Sequence, residues 1–407
     1  MTKNDDKCVP ALRFKGFNND WAQRKLENLT NRVKSYSISH DAEVNQITGT
    51  KYIHYGDIHT GKVTRIQNES ILPNIHDNNF VPLKNGDVIV ADASEDYKGI
   101  ADACVIDLPY QSYKIVSGLH TIAFRPNKEL KPDFLYTYLH TSTFKHYGYR
   151  MGTGLKVFGI SYKNLANMLI KLPDTKEQDK INKVLSLITY RIKLQQRKLK
   201  QLKLLKKAML QDLFADKAVP KLRFRGFKDY WVPKKLGDIA NFINGRAYKQ
   251  NELLDKGKYK VLRVGNFYTN DSWYFSNLEL KPQYYINKGD LVYTWSATFG
   301  PHIWRGEKVI YHYHIWKINL SKSLNKKFVF YLLKADKAKL LSNTNGSTMI
   351  HITKRNMESK TVLIPNTIEQ SQIRNSLDNV SNLITFQQEK IAEVKQIKQF
   401  LLQNMFI

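Results

Sequence analysis

Eleven positions of the chain carry groups suited to binding a polyanion. They are Lys62 and Arg65 in TGKVTR, Lys98 in EDYKG, and Arg150 and Lys156 in YRMGTGLK. Further on come Arg246 and Lys249 in NGRAYK, Arg263 and Asn266 in LRVGN, and Lys354 and Arg355 in TKRN. Lysine and arginine neutralise phosphate, while bidentate Arg–guanine and Asn–adenine pairs read base edges in the major groove. The chemistry on offer is therefore recognition of nucleic acid. For each residue taken singly, a solvated surface charge is the competing reading. The chain as a whole favours the first: 64 Lys and Arg against 36 Asp and Glu give a formal charge of +28 over 407 residues. Such a balance suits a polyanionic partner. A basic ribosome-associated protein, or simply a soluble one, is the alternative.

Parts for catalysis are missing. There is no Gly-x-x-x-x-Gly-Lys-Ser/Thr phosphate loop, no Pro-Pro pair of the kind found in amino-methyltransferase signatures, and no Gly-rich cofactor loop after a first strand. His312 and His314 in YHYHIW could suggest a metal, but no cysteine or carboxylate stands beside them, so core or surface histidines are expected. PDTKEQDK resembles an acidic-lysine nuclease pattern. Its counterpart PNTIEQSQ has lost the aspartate, which argues for helix capping instead. Trp295 in YTWSATFG can stack against bases or fill a half-buried core position. Cys8 and Cys104 are too few for a disulfide framework or zinc ribbon. The opening MTKNDDK has no apolar core, and no apolar run approaches the roughly 20 residues of a membrane span. A reduced, cytoplasmic protein that binds no metal and no membrane is expected.

Positioning such residues requires a scaffold, and the scaffold is duplicated. PALRFKGFNNDWAQRKL, from Pro10, returns as PKLRFRGFKDYWVPKKL, from Pro220, at an offset of 210 (220 − 10). Gly56–Asp57 answers Gly265–Asn266, and LKNGDVIVADAS answers INKGDLVYTWSA. Phe134 answers Phe328. Ile160, Pro173 and Gln178 answer Ile352, Pro365 and Gln370 at an offset of 192 (352 − 160). A long period of this kind marks two copies of one structural unit. GDVIVAD and HTIAF read as strands, FLYTYLHT as a helix, so each copy is a mixed α/β (α+β) globule.

Each globule is followed by a long helix. Thr175-x-x-Gln178 and Thr367-x-x-Gln370 read as capping boxes just past a proline. Heptads follow, one seam holding Ile181, Ile188, Gln195, Leu202 and Met209, the other Leu185, Ile192, Leu199 and Lys206. The second helix repeats this with Ile373, Val380, Gln387, Val394 and Leu401, and with Leu377, Ile384, Ile391 and Lys398. Sustained 3.5-residue spacing points to a coiled coil; an amphipathic helix lying on its own globule is the alternative. Antiparallel pairing would place Gln195 and Gln387 mid-seam, where a polar residue fixes register. It would also bring the second helix end near Pro10, making LRFxGF…W a helix–globule joint used twice. The expected divisions are 1–174 and 215–366 for the globules, with 175–214 and 367–407 for the helices. From Arg191 to Lys207 no acid interrupts the sequence. That run could be a solvated face, a phosphate contact, or a dock for an acidic partner.

These features together resemble the specificity subunit of type I restriction–modification systems, over essentially the full chain. The carriers are the doubled LRFKGF…W and LRFRGF…W, the NGDVIV and KGDLVY strands, and LPDTKEQ and IPNTIEQ opening the long helices. The resemblance implies two target-recognition domains separated by an antiparallel coiled coil, each reading half of a split double-stranded DNA site. It implies a non-catalytic chain without cofactors that recruits two adenine methyltransferase subunits and motor–nuclease subunits, which would use S-adenosylmethionine, ATP and Mg. A non-specific DNA-binding scaffold, or an unrecognised nuclease or recombinase, stays open at this point.

Overall fold

The computed structural model describes residues 9–94, 99–154, 157–214, 219–296, 298–343 and 352–407; Cys8, Lys98 and Lys156 lie outside them. The chain forms two compact units, Met1–Gln195 with Lys390–Ile407, and Gln196–Glu389. The division cuts both long helices, Thr175–Asp212 and Thr367–Asn404. Each unit thus keeps one end of each helix, because those ends are packed into its core.

In the first unit a five-stranded sheet runs in the order Thr30–Val33, Thr121–Pro126, Val88–Ala91, Ala103–Ile106, Arg65–Ile66, antiparallel except for its last pair. Alternate side chains of a strand face opposite ways, and both faces are buried here. Val88, Val90 and Phe124 join a core with Phe134, Leu135 and Phe144. Ile89, Ala91 and Ala123 join another with Ile53 and Ile115. The latter two belong to a four-stranded sheet, Lys114–Ser117, Thr50–Ile53, Asn74–Ile75, Glu43–Val44, whose first pair is parallel.

The second unit repeats the plan. Its antiparallel sheet is Ala240–Asn244, Ile315–Leu320, Leu291–Thr294, Gly300–Ile303. Its mixed sheet is Tyr274–Ser276, Tyr259–Leu262, Val309–Tyr311, Tyr285–Ile286, with the middle pair parallel. Leu291 and Tyr293 face one core while Val292 faces the other.

The repeated motifs now have physical reasons. In NGD and KGD the glycines, Gly86 at φ 88° and Gly289 at φ 91°, take the left-handed conformation that a β-carbon disfavours. The aspartates close the turns: Asp87 accepts from the Lys84 N–H at 2.8 Å and Asp290 from the Asn287 N–H at 2.9 Å. At the helix starts the caps sit one residue earlier than the Thr-x-x-Gln pattern implies. Asp174 accepts from the Glu177 N–H and Asn366 from the Glu369 N–H, both at 2.9 Å. Asp and Asn satisfy N-terminal amides well at this position. Gln178 and Gln370, freed from capping, are buried and reach into their globules. Gln178 donates to the Glu129 carbonyl and accepts from the Lys131 N–H; Gln370 does the same with Ser323 and Asn325.

The joint is built the same way in both units. Leu12 donates its N–H to the Asn404 carbonyl at 2.8 Å, and Leu222 donates to Asp212 at 3.1 Å. Arg13 grips Glu177 with two bonds of 2.9 Å; Arg223 grips Glu369 at 2.8 and 2.9 Å. Both carboxylates are buried at helix N-termini, where the dipole also favours them. Behind each pair lies an aromatic trio. Phe134 packs against Trp21 at 6.0 Å and Phe406 at 5.3 Å, while Phe328 packs against Trp231 at 6.4 Å and Phe214 at 5.5 Å. In the first unit Ile181 and Leu185 share a core with Leu401 and Met405; in the second, Met209 shares one with Ile373 and Leu377. The start of either helix thus meets the end of the other, as antiparallel helices require. All the heptad positions named above are buried or half-buried, including Gln387, at 3% exposure, and the half-buried Gln195.

Candidate nucleic-acid interface

At one end of each unit's sheets, four chain segments converge through the same backbone bonds. In the first unit Gly118 donates to the Ile53 carbonyl at 2.9 Å, and Asp92 to that of His120 at 3.0 Å. In the second, His312 donates to Leu262 at 3.0 Å and Trp295 to His314 at 3.1 Å. Tyr36 donates to Ser117, and Arg246 to Tyr311. The backbone is conserved between the copies and the side chains are not. Gly118, Asp92, His120, His54 and Tyr36 stand where His312, Trp295, His314, Arg263 and Arg246 stand in the other copy.

In the first unit the strand ends carry a chain of rings. His40 lies 4.0 Å from His54, His54 lies 4.5 Å from Tyr55, and Tyr55 meets His120 edge-on at 5.3 Å. His120 Nδ1 is 3.2 Å from Asp92 Oδ1. His120 is half exposed and has φ 54°, a strained value for a residue with a β-carbon. Burial raises the Asp92 pKa, against a lowering pull from His120. Burial likewise lowers that of His54, helped by His40.

In the second unit the rings are His312, Tyr313, His314 and Trp295. His314 lies 4.1 Å from Tyr313 and meets Trp295 edge-on at 4.9 Å. Burial, then His314 and Arg263, hold His312 down to about 4, so its imidazole is neutral near pH 7 and can both donate and accept. Trp295 is half-buried: it stacks on Trp316 at 5.9 Å and donates from Nε1 to the Tyr313 carbonyl at 2.9 Å. One face of its ring is thus used inside the fold. Tyr313 is exposed. Among the described residues, no group of three or more His, Cys, Asp or Glu side chains could hold a metal.

The residues singled out in the sequence fall into three groups. Some are engaged internally. Lys62 pairs with Asp57 at 2.8 Å, and Arg65 lies between Asp107 at 3.1 Å and Asp133 at 2.7 Å. Arg246 forms a two-bond pair with Glu252 that holds that carboxyl at about 2, and Lys354 lies 3.5 Å from Glu358. Asn266 braces its own loop, accepting from the Arg263 N–H and donating to the Asn270 and Ser272 carbonyls. Arg150, Lys249 and Arg355 are exposed. Arg263 is half-buried, its guanidinium 4.2 Å from the Tyr274 ring centre. The structure brings Arg246, Arg263, Trp295, His312 and His314 to one strand-end surface. The first-unit counterparts His54, Asp92 and His120 escape a search for basic residues. The repeat itself points to them, since His54 aligns with Arg263 and Asp92 with Trp295.

The run from Arg191 to Lys207 is largely solvent-facing, apart from half-buried seam positions such as Lys206, whose ammonium lies 5.7 Å from the Tyr331 ring centre. No helix among the described residues is long and apolar enough to cross a membrane.

Comparison with known proteins bears on what these surfaces serve. The type I restriction modification DNA specificity domain matches twice, at residues 18–204 and 228–396. The EcoBI specificity subunit of Escherichia coli is 24% identical over 172 residues, 42% of this chain and 36% of that protein. The MjaVIII specificity subunit of Methanocaldococcus jannaschii is 25% identical over 179 residues, covering 43% and 42%. The chain thus spans about two fifths of the length of these relatives. Two solved structures share the fold across nearly all of both chains. The S subunit of a type I restriction–modification system from M. genitalium aligns with TM-score 0.55 and 13% identity, covering 98% and 99%. A chain from a structure of type I system assembly and conformational transition aligns with TM-score 0.63 and 16% identity, covering 97% and 99%. With its specificity domain present twice and its fold shared end to end, this chain belongs to the type I restriction–modification specificity family.

Proposed function

We propose that each unit recognises one half of a split double-stranded DNA site, and that the chain directs adenine methylation or restriction carried out by partner subunits. The observation that carries this reading is the twin strand-end scaffold: one backbone framework, used twice, presenting different side chains. Phosphate contacts would come from exposed cations such as Arg150, Lys249 and Arg355, and base contacts from the strand-end rings. The chain itself is non-catalytic and cytoplasmic in this reading. S-adenosylmethionine, ATP and Mg belong to the methyltransferase and motor–nuclease partners.

Support for partners bound along the helices comes from large apolar side chains left exposed there. Leu194 and Leu205 are exposed on the first helix, Phe386 and Ile397 on the second. These pairs correspond at the repeat offset of 192 (386 − 194), so the exposed positions are duplicated with the fold. That suits two copies of one methyltransferase subunit. Large apolar side chains left exposed at matching places on both helices are suited to a protein–protein contact.

The test is to co-purify the chain with its methyltransferase subunit, incubate with methyl donor, and map new N6-methyladenine in sequenced DNA. Two unequal halves around a fixed gap are expected. Methylation at one short continuous motif, or at no motif, would overturn the proposal.

A further inference from the structure

A carboxylate on a DNA-facing surface needs a reason, because phosphates repel it. Asp92 stands at a strand end in the first ring with its side chain 30% exposed, whereas nearby Glu43 is tied to His40 and Asp102 to Lys145. Its counterpart in the second unit is Trp295, so the fold does not require an acid there. Its Oδ1 is bonded to His120, while its backbone N–H is bonded to the His120 carbonyl, so the carboxylate is held in one place. An aspartate in this setting accepts hydrogen from the amino group of a base, as Asp and Glu do from cytosine N4.

The second ring is the opposite case. Arg246 has its charge matched by Glu252. Arg263 has no carboxylate partner among the described residues. Its guanidinium stacks on Tyr274, one terminal nitrogen makes only a 3.3 Å bond to the Ser272 carbonyl, and Nε finds no acceptor. The loop beneath is stiffened by Asn266, which accepts from the Arg263 backbone N–H at 3.0 Å. A planar fork held by an aromatic ring, its charge not matched by any acid, is suited to the paired acceptors O6 and N7 of guanine.

Resting on the function proposed above, we infer that the two half-sites are read with opposite hydrogen-bonding polarity. Asp92, positioned by His120, accepts from a cytosine or adenine amino group in one half. Arg263, positioned by Tyr274, donates to a guanine in the other.

The methyltransferase complex is used to select duplexes from a random-sequence library, which are then sequenced. For the wild-type complex each half should hold at least one invariant base pair, and in the second half that pair should be G·C. Asp92→Asn should lose about tenfold or more of the discrimination at one position of the first half and leave the second untouched, while Asp92→Glu keeps the preference. Arg263→Gln should relax the guanine, with the first half intact. Replacing that guanine by 7-deazaguanine, which lacks N7, should weaken binding by the wild-type complex, a readout that needs no variant to fold. A split motif that neither substitution alters, or that both weaken uniformly, overturns the inference and leaves the proposed function standing. Absence of any split motif in the wild type overturns both.

Discussion

Leu12 and Asn404, from opposite ends of the sequence, are joined by a backbone hydrogen bond of 2.8 Å. The Leu222 to Asp212 bond makes the same joint between residues ten apart. A helix end followed by LRFxGF…W is thus one structural unit, made once along the chain and once through space. Its parts can be tested separately.

The Arg13–Glu177 pair should be worth far more than a surface ion pair. Glu177 is 1% exposed, so Arg13→Ala strands a buried carboxylate; a loss of about 3–5 kcal/mol is expected. Arg223→Ala should cost the second unit a similar amount through Glu369. Urea unfolding of each variant checks this, and a change below about 1 kcal/mol would place the pair among ordinary surface bridges.

Phe406 closes the first aromatic trio as Phe214 closes the second. Phe406→Ala should cost about 3–5 kcal/mol. Hydrogen exchange should then rise around Trp21 and Phe134 while Trp231 and Phe328 keep their protection, and Phe214→Ala should do the reverse. Equal deprotection of both regions would contradict this assignment.

Replacing Gln195 and Gln387 together with leucine should raise the melting temperature while loosening the alignment of the helices. A buried polar seam residue costs stability and specifies register. A lower melting temperature would remove the register role from these glutamines.

Adding four residues to each long helix lengthens it by about 6 Å at 1.5 Å per residue. The unread gap in the methylated motif is expected to change in response. An unchanged gap would show that helix length does not set half-site spacing.

His302 gives the second unit a pH dependence. Burial, helped by Lys334 and Lys337, holds it down to about 4, below its ordinary 6.5. Between those values the unfolded chain binds the proton and the folded chain does not. Stability is therefore complete above pH 6.5 and is lost as pH falls towards 4. His302→Gln should flatten the fall in urea midpoint between pH 7 and pH 5. An unchanged slope would assign the effect elsewhere.

Local signals in the sequence determined much of this protein. Heptad spacing placed both long helices, GDVIVAD read as a strand, and the offset between Trp21 and Trp231 disclosed the duplication. Each of these depends on residues within a few turns or strands of one another, or on direct comparison of the two copies. The capping residues were one place off because Asp174 and Thr175 both fit a helix start by type; only geometry shows which oxygen reaches the Glu177 N–H. The strand-end rings are a different matter. His54, Asp92 and His120 are far apart in sequence and meet because three strands end together, and nothing in their spacing records that. Basic residues likewise look alike in sequence whether free or paired. Arg65 and Arg246 turned out to be matched by carboxylates, while Arg263 rests on an aromatic ring. Which charges remain available is settled by neighbours that only the tertiary fold supplies.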